Sequence, residues 1–579
     1  MMAVDVAPPV PRPRTRVPDR RADTSRVMVV GAWLRAHVRS IGVLSILLSV
    51  VAVVHTSGML TFPVRFDDEG TYVSQAWSFL TRGELSPYTY WYDHPPFGWM
   101  QLAAYLGATG ALERAENAVA AGREAMLFVH LLSAALLYVL SRRLRFARPW
   151  AVLAVVLYTF SPLALSVHRM VFLDNVAMPW LIGAFVLACT PRHRLAAYAG
   201  SALCFAGAVL SKETVLLVLP ALVYQVWQNT DRANRAYAWA LFASVLVLTG
   251  LLYPLYAVLN GELVPSESRV SLVDAISFQL TRDGGDSART IADWLQLDHH
   301  LLVVGALAAV AALAVRRLRP FLLMALIHAA VVLRPGYLPV PYAVSLILPA
   351  AVLIAGVLDA LSKLRLGSSR LRAVPTALSV VAVLVLVGVM GPSWARGMQT
   401  ASRYDQDAPL RQTQEWLTTN VEPDARVLLD NSLWLDLVRA GLPERNVVWF
   451  YKLDLDPGGV GINFPDGFSS FDYIVSSEIV RDSAEDLPEI KEALDNSVTV
   501  ARFGDDNVVE VRRIYPDGVP DERMSDRQFV VDHYDIFLKR EPTTAELTRW
   551  LRKLRAGATR DEVMQALADS DEHLERAKS

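Results

Sequence analysis

A chain of 579 residues that is 53% hydrophobic, with mean hydropathy +0.29, is too apolar for a soluble protein of its size and long enough for several domains. Its net charge of −2 gives no general case for nucleic-acid binding. Its two cysteines, Cys189 and Cys204, both lie inside apolar runs, which argues against a disulfide framework or a zinc site and reads as two small buried residues.

Residues 1–40, rich in Pro and Arg, predict a disordered arm. No A-x-A-like cleavage site follows the run IGVLSILLSVVAVVHTSGML, so it predicts an uncleaved first span and not a signal peptide. From residue 41 to residue 391, apolar stretches recur near the roughly 20 residues that cross a bilayer. They predict eleven transmembrane helices, at about 41–60, 126–141, 150–165, 175–190, 196–210, 213–228, 237–259, 300–315, 320–333, 342–360 and 373–391. With this count the basic segments SRRLRFARP, TPRHR, DRANR, RRLRP and SKLRLGSSRLR all fall on one side with the N-terminus, which positive-inside reasoning makes cytoplasmic. The opposite, exported side then holds residues 61–125, 260–299, several short turns and everything after 391.

Cations on that side are departures that need a reason. HRMVFLDNVAMPW carries Arg169 and Asp174, LSKETV carries Lys212 and Glu213, and VLRPGYLPVPYA carries Arg334, Tyr337 and Tyr342. Each cation alone is equally well read as snorkelling at the interface. Three together point to an anionic ligand at membrane depth, for which a lipid-borne phosphate fits guanidinium and ammonium donors. The first exported loop opens on Asp67, Asp68 and Glu69, and Tyr72, Ala76, Phe79 and Leu80 follow at helical spacing. They predict an amphipathic helix lying on the membrane surface. A second, weaker one is predicted from Phe97 to Leu106, after SPYTYWYDHPP with Tyr92 and His94. The aromatics there suit either interfacial anchoring or contact with a sugar face. The acidic triplet reads either as a hydrated cap on its helix or as catalytic acids.

The ordered set DDEGTYVSQAW, HPPFGW, HRMVFLDNVAM and SKE resembles the membrane-embedded glycosyltransferases of the GT-C fold, and is similar above all to protein O-mannosyltransferases and aminoarabinose–lipid A transferases. The resemblance covers about residues 40–390. It implies transfer of a sugar, with inversion, from a polyprenyl-phosphate donor to an acceptor hydroxyl on a protein or on an envelope glycan or lipid. It implies Asp68 as general base and Glu69 as its neighbour, orienting it or the acceptor. Arg169 and Lys212, with Arg334, would bind the donor phosphate, and His94, Tyr92, Asp174 and Tyr337 complete the candidate substrate-binding set. In the aminoarabinose transferases a lysine precedes Pro-Pro where this chain has His94, a departure from a lipid A substrate. No cofactor is implied with certainty. A divalent metal on Glu69 or His94 is compatible with the chemistry, but too few ligands cluster in sequence to assign one.

Residues 392–515 alternate helix and strand patterns and predict a small exported α/β domain with a hairpin about Gly504-Asp505-Asp506 and no Gly-rich phosphate loop. Residues 520–579 predict a helical module with Thr-x-x-Glu helix starts. Its pattern resembles a small helical domain of unknown function in bacterial exported proteins, which implies a bacterial plasma membrane. The expected architecture is thus a polytopic α-helical membrane protein with a C-terminal exported α/β domain and a terminal all-α module. A transporter is the alternative, but no pair of Gly/Pro-broken spans recurs in matching halves. A scaffold displaying the C-terminal module would leave the ordered acids and cations without a role.

Overall fold

The computed structural model describes residues 20–84, 86, 94–190, 194–265, 271–281, 287–365, 373–456, 458–505, 507–516, 518–519 and 525–577. The chain forms two units, 1–49 and 50–579. The first is, where described, the N-terminal part of helix α1 (Arg20–Thr56), so the arm expected to be disordered to residue 40 is helical from Arg20.

In the second unit, α2 (Asp67–Arg82), α3 (Phe97–Thr109) and α4 (Ala111–Arg114) precede α5 (Ala118–Arg143). The bundle continues with α6 (Arg148–Phe160), α7 (Pro162–Val167), α8 (Leu173–Ala188) and α9 (Arg194–Ser211). A 3-10 turn at Glu213–Val218 leads into α10 (Leu219–Asn229), α11 (Arg235–Gly250), α12 (Leu252–Leu259) and α13 (Leu272–Thr281). The bundle ends with α14 (Ser287–Ala312), α15 (Arg319–Val332), α16 (Tyr342–Ser362) and α17 (Val374–Arg403). Each of the eleven expected spans falls on one of these helices or on a consecutive pair. Seven stretches among the described residues are long and apolar enough to cross a membrane. Others are shortened by local chemistry. Ser161 accepts the Ala164 N–H and Pro162 opens α7, which ends α6 there. Lys212, with φ −152° and ψ 115°, breaks the helix between α9 and the 3-10 turn. Helices α8 and α16 are apolar on all sides and buried along nearly their whole length, which places them inside the bundle.

Helix α17 runs on to Arg403, about a dozen residues past the expected start of the α/β domain at 392. It opens with α18 (Ala408–Asn420) and builds a five-stranded sheet from β1 (Val427–Leu429), β2 (Val447–Trp449), β3 (Tyr473–Ser476), β4 (Ser497–Phe503) and β5 (Val509–Ile514), with α19 (Asn431–Ala440) after β1. The strand order is β2-β1-β3-β5-β4. β1 runs parallel to both neighbours, with Val427 opposite Val447 and Tyr473, and β5 runs antiparallel to β3 and β4. The expected hairpin turns at Gly504, whose φ of +80° suits glycine; Asp506 lies outside the described residues. The terminal module is four helices, Asp526–Leu538, Thr544–Arg555, Arg560–Ala568 and Asp571–Ala577. Capping boxes at Thr543/Glu546 and Thr559/Glu562 start the second and third, as their spacing predicted.

The α/β domain seats directly on α2. A Cβ on Gly70 would lie 2.1 Å from the Asn431 carbonyl oxygen and 2.4 Å from Ser432 Cα, so only glycine allows the two backbones this approach. Around it Asn431 donates to Thr71 (2.6 Å), Arg65 donates to Asp407 (2.9 Å), and the Ala118 N–H donates to Asp436 (2.8 Å). Helix α2, expected on the membrane surface, is therefore clamped between the bundle and the α/β domain, with Tyr72 and Ala76 buried. Gly70→Val is expected to force this contact apart. Thermal unfolding should show a loss of about 1–3 kcal/mol or more, with faster proteolysis of the 404–420 segment.

Candidate active site

Three consecutive acids at the start of a helix point in three directions, because successive residues turn by about 100°. Asp67 and Thr71 face the α/β domain. Asp67 Oδ1 accepts the Asp68 N–H (2.8 Å), and burial, then the Asp68 and Asp430 carboxylates, push the Asp67 carboxyl well above its usual range. Asp430 caps α19 through the Ser432 N–H (2.7 Å), and its carboxyl is likewise raised by burial.

Glu69 and Val73 face α5. Glu69 is fully buried, and its two oxygens accept four hydrogen bonds. Arg123 Nε (2.9 Å) and the Val171 N–H (3.0 Å) bond Oε1, and Arg123 Nη2 (2.7 Å) and the Phe66 N–H (3.0 Å) bond Oε2. Arg123 also holds the carbonyls of Met59 (3.1 Å) and Pro63 (2.9 Å). Glu69 therefore does not orient Asp68 or an acceptor. All four of its lone-pair positions are used, which leaves none for a metal. No group of three or more His, Cys, Asp or Glu among the described residues is arranged to hold a metal ion.

Asp68 shares its face with Tyr72, one turn on. The Tyr72 ring lies 5.8 Å from that of His94, between centroids. His94 sits just before Pro95 and Pro96, which lead into α3. Lys212 Nζ donates to His94 Nε2 (2.9 Å), and His94 Nδ1 is 3.1 Å from Glu213 Oε2. This chain places the imidazole proton on Nδ1, donated to Glu213. Asp174, in the first turn of α8, is 2% exposed and within electrostatic reach of Lys212, Glu213 and His94; its Oδ2 is buried without a hydrogen-bond partner among the described residues. The convergence has a steric cause. A Cβ on Gly98 would lie 2.8 Å from both Leu173 Cδ2 and the Ser211 carbonyl oxygen, so glycine lets the start of α3 press against the start of α8 and the end of α9. Gln101 fastens the same corner, donating to Ser211 (2.9 Å) and accepting from Trp180 (2.7 Å).

Two of the three cations expected on a phosphate are elsewhere. Arg169 is 2% exposed and donates to four main-chain carbonyls, of Val54 (2.9 Å), Ser57 (2.7 Å), Phe62 (3.3 Å) and Ala401 (3.2 Å). Arg334 is exposed and bonds the carbonyls of Leu280 and Thr281. Both arginines thus cap helix carboxyl ends, those of α1 and α13, where the last carbonyls lack intrahelical partners. Neither is placed as a phosphate ligand; capping accounts for both cations. Tyr337 is exposed in the connection between α15 and α16, and Tyr92 lies outside the described residues. Of the expected set, the structure brings together His94, Asp174 and Lys212, and Asp68 lies one helical turn before Tyr72, whose ring neighbours His94. Sequence reasoning did not place Asp67, Asp430, Arg123 and Glu213 among the site residues. Asp67 and Glu213 stood in segments already singled out, and Arg123, a charge next to an apolar span, carried a signal that could have found it, whereas Asp430 carried none.

Among the family models, one described as "Dolichyl-phosphate-mannose-protein mannosyltransferase" matches residues 93–256, which include His94, Asp174 and Lys212. One described as "Domain of unknown function (DUF4214)" matches residues 521–577, the terminal module. No curated protein matches by sequence. Among solved structures, the chain is similar to ArnT from Cupriavidus metallidurans bound to undecaprenyl phosphate, at 17% identity over 83% of this chain and 99% of that one, with a TM-score of 0.52. It is similar to the Archaeoglobus fulgidus oligosaccharyltransferase in complex with Zn and sulfate, at 13% identity over 92% and 83%, TM-score 0.52. The archaeal oligosaccharyltransferase AglB of the same organism, in complex with an inhibitory peptide and a dolichol-phosphate, matches at 12% identity over 85% and 76%, TM-score 0.50. At these identities the likeness is one of fold, and the fold is GT-C, as the ordered motifs led one to expect.

Proposed function

We propose that this protein transfers a sugar from a polyprenyl-phosphate donor to an acceptor hydroxyl, with inversion at the anomeric carbon. The observation that carries the reading is the Lys212–His94–Glu213 chain at the Asp68 and Tyr72 face of α2. The family model over this region and the undecaprenyl phosphate bound by ArnT support the donor class.

In this mechanism Asp68 takes the acceptor proton as the acceptor oxygen bonds the anomeric carbon. The bond from that carbon to the phosphate oxygen breaks on the opposite face, and its electron pair leaves with the polyprenyl phosphate. Lys212, oriented by His94 and Glu213, meets the charge that develops on the leaving phosphate. Asp174 offers a carboxylate to a sugar hydroxyl of the donor. The alternation of basic segments supports a cytoplasmic N-terminus, with α2, the α/β domain and the terminal module on the exported side of a bacterial plasma membrane.

The test presents the purified protein in liposomes with mannose, glucose and arabinose on undecaprenyl phosphate, with membrane extract as acceptor. Wild type should release undecaprenyl phosphate from at least one donor. Lys212→Met should lower that release by about 10²–10³-fold. Release unaffected by Lys212→Met would reject the phosphate assignment, and no release from any donor would reject the reaction class.

A further inference from the structure

At the carboxyl ends of β1 and β3 the sheet changes direction: the chain leaves β1 towards β2 on one side and arrives at β3 on the other. Such topological switch points open a crevice in which parallel sheets bind ligands. Here the crevice is a cleft of about 360 Å³, within the roughly 300–1,000 Å³ of ligand sites. Asp430, directly after β1, lines one wall, and Ser477, directly after β3, lines another. The bundle closes it with Phe66 and Asp67, beside the proposed catalytic Asp68, and with Asp293 from α14.

The cleft's chemistry is specific. Ser477 is 6% exposed and its hydroxyl has no hydrogen-bond partner among the described residues. Asp67 and Asp430 line the same cleft, and each commits one oxygen to a main-chain N–H, of Asp68 and Ser432 respectively. Glu478 and Asp482 add carboxylates, which Arg289 partly balances at 4.0 and 2.6 Å. Phe66 and Ile479 supply apolar surface. Buried acceptors of this kind need hydrogen-bond donors. A sugar provides them as neighbouring hydroxyl groups on a ring whose C–H face can lie on Phe66 and Ile479. A peptide would use a free strand edge, and β1 and β3 are interior strands paired with each other.

We infer that this cleft binds a neutral glycan, the acceptor, and presents its end to Asp68. The inference takes its meaning from the transfer reaction proposed above, and its test reads binding instead of transfer. Full-length protein in nanodiscs is titrated with gluco-, manno- and arabino-configured tetrasaccharides, with a Ser/Thr-containing octapeptide and with Mn²⁺. One tetrasaccharide should bind. Ser477→Ala, which breaks no bond in the folded chain, should weaken it about fivefold. Glu478→Arg, at an exposed position, should weaken it further, with thermal midpoints unchanged in both variants. Binding of the octapeptide alone, of Mn²⁺ alone, or of a tetrasaccharide at full strength to both variants would each overturn the inference. Variant-sensitive glycan binding without transfer from any donor would uphold it and reject the proposed reaction instead.

Discussion

Asp68→Asn is expected to lower the sugar-transfer rate by about 10²–10⁴-fold, the contribution of a positioned general base, with donor affinity unchanged. Asn keeps the size and hydrogen-bonding reach of Asp and is acceptable at a helix start, so α2 and its clamp between bundle and α/β domain should persist. What is lost is the ability to hold a proton. Asp67→Asn separates the two adjacent acids. Asp67 is held well above the usual carboxyl range by burial, then by the Asp68 and Asp430 carboxylates, which suits it poorly to act as a base that must start ionised. The transfer rate should therefore survive in Asp67→Asn. Transfer unchanged in Asp68→Asn and abolished in Asp67→Asn would move the base by one residue, to the face that meets Asp430.

The second large effect is structural. Arg123→Met is expected to destabilise the protein by about 3–5 kcal/mol, the cost of stranding a buried charge. It leaves Glu69, fully buried, without its cation, and also removes the donors to the Met59 and Pro63 carbonyls. The joint between α1 and α2 then loses its anchor. Glu69→Leu alone should be comparably damaging, and the Glu69→Leu/Arg123→Met double variant should recover part of the loss, because the buried pair is replaced by apolar volume. Thermal midpoints of the four proteins in one detergent measure the coupling. Single variants as stable as wild type, with transfer lost in Glu69→Leu, would return Glu69 to the catalytic set.

Much of the architecture was legible because the signals are local. Apolar runs, Thr-x-x-Glu helix starts and the Gly504 turn each depend on neighbours in sequence. The end of α17 was misplaced because the polar residues after 391 still continue its helical turn.

The candidate site divides in the same way. The order and spacing of DDEG, HPP, the Arg169–Asp174 segment and SKE were enough to raise the GT-C fold, and they put forward Asp68, His94, Asp174 and Lys212 as candidates. Which cation meets which acceptor was settled only by tertiary structure. Arg169 and Lys212 look alike in sequence, each a cation in a short turn between apolar helices. One is spent on the carboxyl end of α1 and the other stands against His94. The physical reason is that arginine's partners here are main-chain carbonyls, which every residue carries and no residue type announces. Likewise Asp67, Asp68 and Glu69 are chemically near-identical neighbours. The helical turn of about 100° per residue sends one to the α/β domain, one to the face of Tyr72 and one to Arg123. The sequence by itself determined that acids and cations gather at one end of a membrane bundle; the close approaches allowed by Gly70 and Gly98 decided which of them meet.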